Sequence, residues 1–178
     1  SRRTRAEQLS WLWHHWRRRL LVLFVLLGSL LLLDLLFPLP RDEPGFARMV
    51  VDRNGVPLRA FADQQGIWRY PVTIDQVSPN YLETLTHYED RYFYYHPGVN
   101  PLSLLRASWQ NLGSGGVVSG GSTLSMQVAR MVAPTPRNLT GKLQQILRAL
   151  QLEWYYSKDQ ILTLYLNLAP FGGPLEGV

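Results

Sequence analysis

Tyr88-Glu89-Asp90-Arg91-Tyr92-Phe93-Tyr94-Tyr95-His96-Pro97-Gly98 places two adjacent carboxylates where a helical pattern ends, followed by an aromatic run and a His-Pro-Gly turn. The residues before it predict a helix. Ser78 is a candidate cap, Pro79 suits the first helical position, and Leu82 and Leu85 share a face. Glu89 falls one turn beyond Leu85, on or near the buried side. A carboxylate walled by Tyr92, Phe93 and His96 has the surroundings that raise a carboxyl pKa and suit proton transfer. The same pattern also fits a partly buried Glu paired with Arg91 or His96.

Upstream, Leu20 to Phe37 is an eighteen-residue apolar run broken only by Asp34. As a helix it is about 27 Å long, close to the hydrocarbon thickness of a bilayer. Trp11, Trp13 and Trp16 precede it as an interfacial belt, Arg17, Arg18 and Arg19 hold the near end on the cytoplasmic side, and Pro38 and Pro40 stop it. A cleaved signal peptide fits poorly, because no small-x-small site follows. The reading is a cytoplasmic basic tail (1–19), one uncleaved span (20–37) in the cytoplasmic membrane, and everything after it outside. The net charge of +5 sits entirely in residues 1–19, and the other 12 basic and 12 acidic residues cancel. A nucleic-acid partner is therefore not expected. The absence of cysteine rules out disulfides and thiolate chemistry.

Residues 38–71 read as a connector with short strands. Met49–Asp52 leads to an Asn54-Gly55 hairpin signal, Val56–Phe61 can return, and Ile67–Tyr70 can add a strand. No catalytic group is evident there.

Downstream of Gly98, Asn100-Pro101 predicts a helix start, with Leu102, Leu105, Trp109 and Leu112 as its apolar side and Gly113 as its end. A glycine-rich run, 113–123, follows. It is either a plain linker or, through Ser122-Thr123 at the start of the next helix, an anion-binding turn. It is no P-loop, because no Lys follows the glycines. Thr140 is expected to cap an amphipathic helix whose apolar stripe is Leu143, Ile146, Leu147, Leu150 and Trp154. Lys142, Ala149 and Glu153 line one flank of that stripe, with Gln145 further round. Ser157 with Gln160 forms a capping box for a last helix over 161–167. The final residues, 171–178, carry no cap or polar tail, as expected of a cut inside a fold.

Four blocks of this sequence resemble the motifs of the peptidoglycan glycosyltransferases, glycosyltransferase family 51. They are Glu89-Asp90-x-x-Phe93-x-x-His96-x-Gly98; Gly120-Gly121-Ser122-Thr123-Leu124-Ser125-x-Gln127 with Arg130 where the family usually has Lys; Lys142 through Glu153; and Ile161-Leu162-x-x-Tyr165-Leu166-Asn167. They occur in order over roughly 70–178, behind an anchor, as in class A penicillin-binding proteins. The family's fifth motif would lie past Val178.

The resemblance implies a mainly α, lysozyme-like domain over 72–178, incomplete at its C-terminus, on the outer (periplasmic) face of the membrane. Its substrates would be lipid II and the growing glycan strand, and other cell-wall synthesis proteins would be possible partners. Glu89 corresponds to the general base, with Asp90 beside it. By the same analogy Lys142 and Arg130 hold phosphates, while Phe93, His96, Gly121, Ser122, Thr123, Gln127, Gln145 and Glu153 line the site. Mg²⁺ or Mn²⁺ would be a possible cofactor. The third motif usually reads Lys-x-x-Glu, whereas here it is Lys142-Leu143-Gln144-Gln145, so an amide replaces that carboxylate and weakens the case for a metal. A lysozyme-like hydrolase or lytic transglycosylase, and a non-catalytic membrane-anchored scaffold, are the alternatives.

Overall fold

The computed structural model of the chain describes residues 5–40, 45–114 and 120–178 and is mainly helical. Residues 115–119 of the glycine-rich run lie outside the described residues, as do Arg2 and Arg3. Two compact units result, Ser1–Leu39 and Pro40–Val178.

The first unit is one helix, α1 (Arg5–Leu36). Its Trp13–Leu36 portion is long and apolar enough to cross a bilayer. The basic residues from Arg5 onward are helical and continuous with the apolar run. The Arg17 guanidinium lies 5.6 Å from the centre of the Trp13 ring. The helix ends at Leu36, two residues before Pro38, whose ring cannot continue it.

The second unit opens with the expected hairpin, β1 (Arg48–Val51) antiparallel to β2 (Pro57–Phe61). Gly55 supplies the positive φ of 82° that its turn needs, and Asp52 Oδ1 accepts from the Asn54 and Val56 N–H groups, both at 2.8 Å. The third expected strand is shorter, β3 (Trp68–Arg69), and does not join this hairpin. It pairs in parallel with β5 (Leu175–Glu176), which is antiparallel to β4 (Pro170–Gly172). That closing hairpin was not foreseen from the sequence, and Gly172 and Gly173 turn it with positive φ. Arg69 is buried where the two segments meet. It bonds the Glu176 carboxylate and the Gly45 carbonyl, with Asp63 3.7 Å away. The stretch read as a connector is thus tied to the end of the chain.

Five helices complete the unit: α2 (Pro79–Glu89), α3 (Pro101–Ser114), α4 (Leu124–Val132), α5 (Leu139–Tyr155) and α6 (Lys158–Leu168). The short helix α4 packs against both α5 and α6. Leu124, Met126 and Val128 of α4, Leu152 of α5, and Ile161, Leu162 and Leu166 of α6 close the core around it, together with Phe93. Burying a large aliphatic side chain contributes about 1.5–3 kcal/mol, so this cluster holds the three helices together.

Two apolar stripes are not buried as the sequence suggested. On α3, Leu102, Leu105 and Trp109 face outward, Trp109 being 81% exposed, and Ala107 is buried. On α5 the inward face is Gly141, Gln145, Ala149 and Leu152, while Leu143 and Trp154 are exposed. The reason is close approach. A side chain at Gly98 would sit 2.7 Å from the Ala149 carbonyl oxygen, so the Ala149 face of α5 lies against backbone, while Gly141 leaves room for the Pro136 carbonyl oxygen of its own lead-in loop. The cap of α5 is Asn138, not Thr140: Asn138 Oδ1 accepts from the Gly141 N–H at 2.8 Å, and Thr140 merely donates to it. Ser78 holds the N-cap position of α2, but its side chain makes no capping bond. The capping box of Ser157 and Gln160 is present.

Candidate active site

Helix α2 delivers Glu89 at its last turn, half-buried beside Leu82 and Leu85 on the same face. Its partner is neither Arg91 nor His96. Gln127, on α4, donates its Nε2 to Glu89 Oε2 at 2.9 Å. Tyr92 is mostly exposed and does not wall the carboxylate.

Asp90 is arranged in the opposite way. It is 7% exposed, both its oxygens lie 3.0 Å from His96 Nε2, and Oδ2 also accepts the Leu124 N–H at 3.0 Å. The N-terminus of α4, which the sequence offered to an external anion, is thus engaged by the protein's own carboxylate. His96 Nδ1 is buried with no partner among the described residues, which fits the tautomer carrying its proton on Nε2.

Thr123 caps α4 by accepting from the Met126 N–H at 3.1 Å, and its hydroxyl donates to the Gly98 carbonyl at 2.5 Å. Gly98 has a φ of +86°, and a Cβ there would meet the Ala149 carbonyl oxygen and Glu153 Cγ at 2.7 Å. Glu153 Oε1 accepts from Ser125 Oγ at 2.5 Å and from Lys158 Nζ at 2.7 Å. Lys158 also donates to the His96 carbonyl at 2.7 Å and stands 4.6 Å from the centre of the Phe93 ring.

The cationic side of the site comes from α4 and α5. Lys142 Nζ donates to Ser122 Oγ at 2.7 Å and to Gln145 Oε1 at 3.1 Å, while Gln145 Nε2 donates to the Met126 carbonyl at 2.7 Å. Partial burial, and then the neighbouring Arg130 guanidinium, hold the Lys142 ammonium below its ordinary pKa. Arg130 itself is exposed in the last turn of α4.

The residues singled out from the sequence therefore form two layers. Glu89, Ser122, Gln127, Arg130 and Lys142 remain within reach of solvent. Asp90, Phe93, His96, Gly121, Thr123, Gln145 and Glu153 lie behind them. Phe93 and Thr123 are 0% and 2% exposed, so both are packed behind the solvent-reachable groups. Gly121 is buried because a side chain there would come within 3.0 Å of the Ser103 carbonyl oxygen on α3.

No local pattern marks Lys158, and Ser125 entered only within the second motif, with no role attached. Tyr165, buried on α6, entered only within the fourth motif; its phenol is pushed up by burial, then by the negative charge of Glu89, then by Tyr81. Asn167 was quoted only as part of a motif. Its Oδ1 accepts the Val72 N–H and its Nδ2 donates to the Val72 carbonyl, both at 2.9 Å, which clasps the incoming chain to α6.

A divalent ion would have to be held by the carboxylates and amides of this donor set. No group of three His, Asp or Glu among the described residues is placed to hold one. At position 145 the amide oxygen faces the Lys142 ammonium, and Glu153 Oε1 already accepts from Ser125 and Lys158. A hard cation needs several free oxygens rather than a neighbouring positive charge.

The transglycosylase family matches residues 54–178, and the chain belongs to that family. Among individual proteins, it is 63% identical to penicillin-binding protein 1C of Escherichia coli K12 over 145 residues, which is 82% of this chain and 19% of that protein. It is 34% identical to penicillin-binding protein 1A of the same organism (89% of this chain, 20% of that protein). It is 33% identical to penicillin-binding protein 1F of Bacillus subtilis 168 (72% and 18%). The chain thus spans about a fifth of the length of the curated relatives it matches.

Proposed function

We propose that the chain carries the peptidoglycan glycosyltransferase site of a membrane-anchored protein similar to penicillin-binding protein 1C, and that it lengthens glycan strands from lipid II on a lysozyme-like scaffold. One observation carries this reading. A solvent-reachable carboxylate and a cation are tied to consecutive residues of one short helix, Glu89 through Gln127 and Lys142 through Gln145 to Met126, and the same helix carries Arg130. Acid–base chemistry and phosphate binding are thereby fixed to the same rigid element.

In this mechanism Glu89 takes the proton from the acceptor sugar's 4-hydroxyl as that oxygen attacks the donor's anomeric carbon. The bond from that carbon to the pyrophosphate oxygen breaks with inversion, and undecaprenyl pyrophosphate leaves. Lys142 and Arg130 meet the negative charge that develops on the leaving group. Gln127 orients Glu89, and Asp90 acts through the fold, since its oxygens are already committed.

Helix α1 would anchor the domain with its basic end in the cytoplasm. The outward Leu102, Leu105 and Trp109 of α3, with Arg106 and no acidic residue, suit a bilayer surface. Incubation with labelled lipid II is the test: long glycan supports the reading, whereas cleavage of preformed glycan, or no reaction, replaces it with a hydrolase or a scaffold. A reporter fused after Pro71 should be active only when exported.

A further inference from the structure

Gln145 is 5% exposed, and both ends of its amide are committed. Its nitrogen must donate to the Met126 carbonyl, which fixes its oxygen toward Lys142 Nζ. In an α-helix the Met126 carbonyl also receives the N–H of the residue four positions on, which is Arg130. The amide therefore joins Lys142 to the very turn that carries the second cation. Neither Lys142 nor Arg130 forms an ion pair among the described residues, and the remaining neighbours that bond Lys142, Ser122 and Gln145, are neutral.

We propose that Gln145 is a positioning residue that fixes Lys142 against the Arg130 turn while contributing no charge, so that the substrate's pyrophosphate is the counter-ion of both cations. This rests on the glycosyltransferase reading for the identity of the anion. A carboxylate at 145 would do something different. It has no hydrogen to give the Met126 carbonyl, so it would lose the tether, and it would neutralise Lys142 in place of the ligand. The cost of mutual repulsion between Lys142 and Arg130 is then relieved only when an anion binds, which makes binding itself the step that completes the site.

The test uses the full chain in detergent with EDTA present and inorganic pyrophosphate as the probe. Wild type should bind it, and Gln145→Glu should bind about tenfold more weakly, as loss of a charge-assisted contact requires. Gln145→Met, which keeps length but neither bond, should weaken binding to a similar extent. Nitrogen-15 NMR of the lysine side chains supplies a readout that a merely structural role would not move. Lys142 should titrate at higher pH in Gln145→Glu than in wild type, and no higher in Gln145→Met. Equal pyrophosphate affinity in wild type and Gln145→Glu, or an unmoved Lys142 titration in Gln145→Glu, overturns the proposal. If Gln145→Glu does not fold, undiminished binding by Gln145→Met overturns it instead. Polymerisation of labelled lipid II by wild type judges the glycosyltransferase reading separately, because the binding arm does not depend on turnover.

Discussion

Asp90→Asn separates two adjacent carboxylates that a sequence motif would treat as one catalytic unit. The Asp90 side chain receives His96 Nε2 on both oxygens and the Leu124 N–H on one of them, all at 3.0 Å and shielded from water. Asparagine preserves the shape, but one former acceptor becomes an N–H group set against the His96 ring nitrogen, and the oxygen that remains for both partners is neutral. A hydrogen bond to a charged group contributes about 1.5–3 kcal/mol against about 0.5–1.5 for a neutral one. Losing that difference at two partners, together with a negative charge at the start of α4, amounts to about 3 kcal/mol. In a domain of this size that corresponds to a fall in melting temperature of about 9 °C. The assay is thermal unfolding by circular dichroism, paired with polymerisation measured well below both midpoints. Activity per folded molecule should stay within about tenfold of wild type, less than the removal of a general base costs. An unchanged melting temperature with polymerisation abolished would refute the reasoning and place Asp90 in the chemistry.

Glu89→Gln should do the reverse, losing polymerisation by at least ~10²-fold with stability within about 1 kcal/mol of wild type. The same change removes a negative charge beside Tyr165, so that phenol should titrate lower, nearer 10.0, in phenolate absorbance; no movement would mean that the two groups do not share a site. Lys142 titrates below its ordinary 10.5, so as pH rises the native state releases this proton before the unfolded chain does. Its contribution to stability therefore grows with pH between those two values, while the ammonium that holds phosphate is lost over the lower part of the window. Arg130→Gln removes one of the two causes and should move the alkaline limb of the pH–rate profile upward; a limb that stays put assigns it to another group. Gly98→Ala combines a positive φ with contacts of 2.7 Å and should cost at least ~2 kcal/mol in chemical denaturation, a loss that an intact midpoint would disprove.

The local signals in this sequence were strong because their physics is local. Pro79 and Pro101 at first helical positions, the Asn54-Gly55 turn, the Ser157–Gln160 capping box and the proline stop after α1 each depend on a few neighbouring residues, and each stands in the structure. The ordered motif residues from Glu89 to Asn167 likewise pointed to the transglycosylase family without any knowledge of contacts.

What the sequence alone left undecided was which way each surface faces and which side chains remain free. Periodicity selected the leucines of α5 as its inner face, but the chain at Gly98 comes against the Ala149 backbone on the other face, the one that carries Gln145 inward. Composition offered Ser122-Thr123 and the start of α4 to an anion, yet Asp90, distant in sequence, had already occupied that helix terminus. Glu89 and Asp90 are indistinguishable as neighbours in a chain. They differ only because the chain leaves α2 between them, directing one carboxylate toward Gln127 and solvent and folding the other against His96 and Leu124. Hydrogen-bond partners brought together over tens of residues are a property of packing, and packing decided which of the two is free to take a proton.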